Sequence, residues 1–181
     1  MSVNLAELPS CQRCALAHTR THVVVGTGQS SALITLLGEA PGRHEDEGGE
    51  PFIGRSGQLL FTLIHEELNL TREDCFVTNV VKCRPPENRT PTRVEIAACQ
   101  PWLELQLSEI SSRVVIPLGL TASRTLLASK ATMSELHGRV VTQGSFRVVP
   151  TYHPAAALRQ GPSVVAMMRD DLRVVRGLLH S

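Results

Sequence analysis

Apolar residues along the chain fall into short runs separated by stretches of helical period. Leu33-Ile-Thr-Leu-Leu37 is a leucine-rich run with a β-branched centre, stopped by Gly38. A pattern near period 3.6 follows across 57–68, with Leu59, Leu60, Leu63, Ile64 and Leu68 recurring at helical spacing. That unit reads as strand, long loop, helix. A second run over 75–81 leads into the proline-rich loop Cys83-Arg-Pro-Pro-Glu-Asn-Arg89, and then into a helix over 92–109. Two start signals compete there: Thr90 as the cap with Pro91 at the first helical position, and a capping box of Thr92 with Glu95. The third strand is Arg113-Val-Val-Ile-Pro-Leu118, stopped by Gly119 and followed by a short helix over 121–128. The fourth is Phe146-Arg-Val-Val-Pro-Thr151, followed by the loop Tyr152-His-Pro-Ala. A last helix over 164–179 carries Val164, Met168, Leu172, Val175 and Leu179 on one face. Strand followed by helix, four times over, predicts an α/β fold: a central, four-stranded, mostly parallel sheet with helices on both faces. His22-Val-Val-Val-Gly26 offers a further edge strand or hairpin.

At 181 residues the chain has the length of one domain, and we expect 1–181 to share one core. Its 42% hydrophobic and 19% charged residues, with 13 Gly and 11 Pro, exclude collagen-like, low-complexity and wholly disordered classes. No apolar run approaches the ~20 residues of a membrane span. The opening MSVNLAELPS has neither the basic nor the apolar part of a secretory signal, so a cytoplasmic protein is expected. Eighteen Lys plus Arg against 17 Asp plus Glu leave a net charge of +1, so any nucleic-acid-binding face must be local.

Five cysteines in a chain with no secretion signal suit metal ligation better than disulfides. Cys11 and Cys14 form C-x-x-C, a spacing that lets two thiolates converge, while Cys83 and Cys99 flank the proline-rich loop and the start of the next helix. Four thiolates complete a tetrahedral set that suits zinc or a [4Fe–4S] cluster alike. Cys75 stands in an apolar stretch and reads as core.

In open parallel α/β sheets, ligands bind beyond the carboxyl ends of the strands. Gly38-Glu-Ala-Pro-Gly42, Asn79, Gly119-Leu-Thr121 and His153-Pro154 all fall there. Four loops thus bring a carboxylate, an amide, small residues and an imidazole to one crevice. Each alone has an ordinary reading as a turn or a surface residue; their shared placement is what makes them a candidate site. Neither a phosphate-binding P-loop nor a G-x-G-x-x-G fingerprint is present.

Three blocks together resemble the family-four uracil-DNA glycosylases, the iron–sulfur branch of that superfamily. They are the segment from Gly38-Glu-Ala-Pro-Gly to Pro51-Phe-Ile-Gly-Arg-Ser-Gly57, the segment Thr78-Asn-Val-Val-Lys-Cys-Arg-Pro-Pro through to Cys99-Gln-Pro101, and His153-Pro-Ala-Ala-Ala-Leu-Arg159. With the C-x-x-C pair the resemblance runs from residue 11 to about 172. It implies an enzyme that flips uracil out of DNA and hydrolyses its N-glycosidic bond, leaving an abasic site. It also implies a [4Fe–4S] cluster on Cys11, Cys14, Cys83 and Cys99, structural in role, tying the amino-terminal segment to the Cys83 loop.

The resemblance assigns roles that fit the chemistry. The Asn79 carboxamide can match uracil O4 and N3–H, which cytosine would mismatch. Phe52 is the stacking aromatic, and Ala40 lies in the substrate-binding loop. As the bond breaks, charge gathers on uracil O2, where a neutral His153 would donate a hydrogen bond, in the manner of an oxyanion hole. Glu39 and Glu45 match acidic positions near the reacting sugar, where a carboxylate stabilises the cation or orients water. First-family enzymes carry an aspartate where this chain has Ala40, so dissociation ahead of water attack is the expected order.

Arg55 and Ser56, at the start of a helix, would hold a DNA phosphate. Leu158 and Arg159 resemble the loop that wedges into the duplex, and Lys82, Arg84 and Arg89 would add positive potential. The expected partner is uracil-containing DNA, single- or double-stranded, bound by a monomer with no membrane involvement. A related branch traps uracil-DNA covalently through a histidine in an insertion before the second block's Thr-Pro. Residues 82–90 hold neither histidine nor insertion. A non-hydrolytic iron–sulfur protein that binds uracil-DNA is the remaining alternative.

Overall fold

A computed structural model describes Asn4 to His180. Strands β1 (Ile34–Gly38), β2 (Cys75–Asn79), β3 (Val114–Pro117), β4 (Val141–Gln143) and β5 (Phe146–Val148) form one sheet in the order β2-β1-β3-β5-β4. The first four in that order run parallel and β4 pairs antiparallel with β5. The expected count of four strands is therefore corrected to five. The addition is β4, short and polar, Val141-Thr-Gln143, which pairs with the predicted β5 through a turn at Gly144 with φ +58°. A three-residue strand gives no usable alternation, which is why the pattern missed it. The fourth predicted strand also stops early, at Val148, with only an isolated bridge from Leu118 to Thr151 beyond it. The 22–26 segment makes no strand. It runs along the β2 edge, where Val24 N–H donates to the Lys82 carbonyl (2.8 Å) and Thr27 bridges Val77.

Alternation along the strands sorts the core into two faces. Ile34, Leu36, Val114, Ile116 and Val149 pack on one side against α2 (Arg55–Leu68), α6 (Pro154–Gln160) and α7 (Pro162–Leu179). Leu37, Val115 and Val148 pack on the other against α3 (Arg93–Glu109), α4 (Leu120–Leu127) and the 3-10 helix Leu5–Ser10. Leu60, Leu63 and Ile64 of α2 are fully buried, each contributing about 1.5–3 kcal/mol of transfer free energy. Across the α2–α7 seam Glu67 takes Arg169 at 2.7 Å and Arg173 at 3.0 Å. Of the two start signals for α3, the capping box wins: Thr92 Oγ1 accepts from Glu95 N–H, and Glu95 accepts from Thr92 N–H.

Two short helices, α1 (Arg43–Gly48) and α5 (Met133–Leu136), interrupt stretches that read as loop. The strand order places β1 at the switch point, with one crossover leading to β2 on its left and the next to β3 on its right. The crevice between the β1 and β3 ends is thus where a ligand is expected.

Candidate active site

A cavity of about 640 Å³ opens at that switch point. Its walls come from the β1 loop (Glu39, Ala40, Gly42, Glu45), the β3 loop (Gly119, Thr121), Phe52, Asn79 and His153, with Ser56, Arg89 and Arg159 at the same opening. The carboxylates, amide, ring and imidazole named from sequence therefore meet in one place.

Each wall residue is fixed by its neighbours. Asn79 ends β2 opposite Gly38 of β1 and is 2% exposed. Among the described residues its carboxamide takes no protein partner, so both its donor and its acceptor remain free for a ligand. Gly38 is required by close approach: a Cβ there would lie 2.2 Å from Asn79 Oδ1 and 2.8 Å from the Phe52 ring. We expect Gly38→Ala to cut kcat/KM for a uracil substrate by about tenfold or more through displacement of both groups, with the protein still folded by circular dichroism.

Phe52 sits at φ +55°, a left-handed conformation that bulky residues rarely adopt. Three features hold it there. Arg72 donates to the Pro51 carbonyl (2.5 Å) and to the Phe52 carbonyl (3.4 Å). Gly57 lets the first turn of α2 press on it, since a Cβ at Gly57 would stand 1.8 Å from the Phe52 oxygen. The Phe52 ring lies 5.8 Å from the His153 ring, tilted by 32°. Arg72 was not foreseen as a site residue; a lone arginine before an apolar run carries no sequence signal.

His153 is the N-cap of α6, which takes the place of the expected loop after the fourth strand. Pro154 occupies the first helical position, and His153 Nδ1 accepts from Ala155 N–H at 3.1 Å. An accepting Nδ1 places the proton of a neutral ring on Nε2. Burial, followed by the positive charge of Arg159, pulls the His153 pKa down from 6.5 to about 4. The ring is thus neutral at pH 7 with one donor to offer. A Cβ at Gly119, which sits at φ +85°, would lie 2.9 Å from the His153 Cβ, so glycine lets the β3 loop pass this close.

The two glutamates differ. Glu45 is 9% exposed, and its carboxylate clasps both loops: Oε2 accepts from Gly42 N–H and Oε1 from Gly54 N–H, each at 3.1 Å. Glu39 takes no side-chain hydrogen bond among the described residues and is half-buried at the cavity wall. Neighbouring Asp46, also unforeseen, accepts from Thr21 and His22 N–H and ties the amino-terminal segment to α1.

The expected DNA-contacting residues divide as well. Arg55 is exposed and Ser56 half-buried at the head of α2. Leu158 is 45% exposed on α6, so it does not pack into the core. Lys82 overturns its expected part in surface potential: it is 1% exposed, with Nζ donating to Thr78 Oγ1 at 2.7 Å and the Asn79 carbonyl at 2.5 Å. Arg89 is engaged by Glu95 through two hydrogen bonds of 2.7 and 2.9 Å, which hold the Glu95 carboxyl down near 2.

On the far side of the Asn79 segment, Cys11, Cys14, Cys83 and Cys99 line a second, smaller cavity with Arg20 and Lys82. Arg20 donates to Cys83 Sγ (3.3 Å) and to the Cys11 carbonyl (2.7 Å), while Trp102 Nε1–H donates to Cys11 Sγ (3.3 Å). Donors aimed at sulfur suit thiolates that carry charge. A single zinc would draw its four sulfurs to about 3.8 Å of one another, given Zn–S bonds near 2.3 Å. Among the described residues no three such groups stand close enough to hold one ion. Four cysteines around one cavity are the donor set of a four-thiolate centre, which zinc or an iron–sulfur cluster would take alike. Cys75 is outside this set: it is fully buried, and burial pushes its thiol up to about 12.

Comparison with known proteins agrees with the geometry. The uracil DNA glycosylase superfamily model matches residues 25–173. A type-4 uracil-DNA glycosylase of Saccharolobus solfataricus is 43% identical over 97% of this chain and 84% of its own length. One from Thermotoga maritima is 41% identical over 88% and 83%. A type-5 uracil-DNA glycosylase of Pyrobaculum aerophilum is 33% identical over 71% and 63%.

Proposed function

The chain belongs to the uracil-DNA glycosylase superfamily, with the type-4 enzymes as its near relatives, and from that premise we propose how its cavity releases uracil from DNA. It is a DNA repair enzyme that hydrolyses the N-glycosidic bond of uracil. The observation that carries the reading is the convergence of Asn79, Phe52 and His153 on one cavity at the sheet's switch point.

Uracil extruded from the stack lies against Phe52 and presents its edge to the Asn79 carboxamide, which accepts from N3–H and donates to O4. His153 Nε2–H donates to O2 and strengthens that bond as the leaving base gains negative charge. Because the ring is neutral, it stabilises the uracil anion without protonating it. Glu39, with both oxygens uncommitted, faces the sugar cation or the incoming water. Glu45 instead holds the Gly42 and Gly54 loops that frame the cavity. Ala40, next to Glu39, offers no group to activate water, so bond breaking runs ahead of water attack.

Arg55 and Ser56 take a DNA phosphate at the α2 N-terminus, Leu158 fills the gap left by the base, and Arg159 supports it from the same helix. Cys11, Cys14, Cys83 and Cys99 hold a [4Fe–4S] cluster, whose contribution when bound is to tie the amino-terminal segment to the loop that follows Asn79. The protein acts as a cytoplasmic monomer on uracil-containing DNA. No helix among the described residues is long and apolar enough to cross a membrane.

Oligonucleotides carrying one uracil, incubated with purified protein and then cleaved by alkali at abasic sites, test the reading. Cleavage at the uracil position with release of free uracil is expected. Intact strands, or an adduct of protein and DNA that survives denaturant, would contradict it.

A further inference from the structure

Lys82 lies between the two cavities. Its ammonium donates to the Asn79 carbonyl and to Thr78 Oγ1, and Thr78 in turn meets Gln106 Oε1 (3.1 Å) and the Val25 carbonyl (3.2 Å). Both acceptors of the ammonium are neutral. None of the ion pairs among the described residues includes it. A buried cation without a counter-charge is costly, and Lys82 lines the cysteine cavity, where its own backbone N–H bonds to Cys99. Two of its three ammonium protons are placed, leaving one donor and a full charge to be balanced by whatever fills that cavity. Four thiolates around an iron–sulfur core carry net negative charge.

Resting on the function proposed above, we infer that Lys82 is a positioning residue that couples the cysteine-bound cluster to uracil recognition. Its ammonium is the buried counter-cation of the cluster and, in the same pose, clamps the backbone of Asn79 so that the carboxamide faces the base. Loss of the cluster leaves the cation without a partner and loosens Asn79. Lys82 touches neither substrate nor sugar; it acts through Asn79.

The test is a four-corner cycle on the full-length chain. Wild type and Lys82→Met are purified without oxygen, and each is measured iron-loaded and after iron removal by a chelator. Free uracil is the probe, its affinity read by equilibrium dialysis, and iron release is followed by loss of visible absorbance. Wild type loses about tenfold or more in uracil affinity when stripped, the scale of a hydrogen bond to a charged group. Lys82→Met begins with that loss, releases iron about tenfold faster, and on stripping loses less than about twofold more. A cluster that only tied loops together would cost both proteins equally, so equal losses overturn the coupling. So do unchanged uracil affinity in iron-loaded Lys82→Met, unchanged iron release, or wild type that holds no iron. The expected cycle in a wild type that frees no uracil from DNA would uphold the coupling and remove the glycosylase reading instead. Lys82→Gln serves the same cycle where Lys82→Met does not fold.

Discussion

His153→Ala lowers kcat for uracil release by about 10²–10³-fold, the cost of losing one preorganised donor to a developing oxyanion. KM changes little, because the bond to O2 strengthens chiefly in the transition state. The same substitution removes the N-cap of α6 and costs about 1 kcal/mol of stability, seen as a lower unfolding midpoint. His153→Asn separates the two effects. Its short carboxamide supplies the capping acceptor and recovers the stability, but ends well short of the imidazole Nε2 position and does not recover the rate.

The pH profile follows from the same ring. With its pKa drawn from 6.5 to about 4, His153 stays neutral through most of the acidic range, so the loss of kcat assigned to it begins only near pH 4. For stability the sign is fixed by linkage. The unfolded chain takes up a proton below about 6.5 that the folded chain refuses until about 4, so His153 costs stability as pH falls through that window and nothing above it. A rate that falls as pH rises through an apparent pKa near 6.5, a dependence abolished in His153→Ala, would mean the ring works as a cation.

Asn79→Ala is the second large effect. It removes a donor and an acceptor from the cavity, and uracil O4 and N3–H then enter without partners. At about 1–3 kcal/mol for each group left unpaired, kcat/KM falls by about 30-fold to 10⁴-fold. The residue's backbone carbonyl still receives Lys82, so the fold persists. Single-turnover release from a uracil oligonucleotide measures the rate, and thermal unfolding confirms the fold. A variant within about threefold of wild type would remove Asn79 from base recognition.

Much of the site was legible because strand ends are legible. Gly38 and Gly119 stop β1 and β3 in the sequence as in space, and any residue just after such a stop faces the switch-point crevice. Strand-end reading thus expected Glu39, Asn79 and His153 at one crevice, and all three line the cavity there. The two-faced core was readable for the same reason, since period 2 and period 3.6 are written in single side chains. What stayed hidden depends on pairings between distant segments. The family resemblance named Glu45, but its hold on two loops shows only when Gly54, nine residues on, folds back to give it a second N–H beside that of Gly42. Arg72 secures Phe52 from 20 residues away. Lys82 reads as a surface cation because lysine almost always is one, whereas in the fold it is buried beside the amino-terminal segment and Ala98 and Cys99 of α3. Strand β4 escaped for a local reason: three residues, two of them exposed, carry no period.

A crystal structure of the protein soaked with free uracil bears most directly on the arrangement of the cavity. The base is expected stacked on Phe52, its O4 and N3 within hydrogen-bond distance of the Asn79 carboxamide and its O2 facing His153 Nε2. Uracil bound elsewhere, or in this cavity with O2 turned away from His153, would contradict the account.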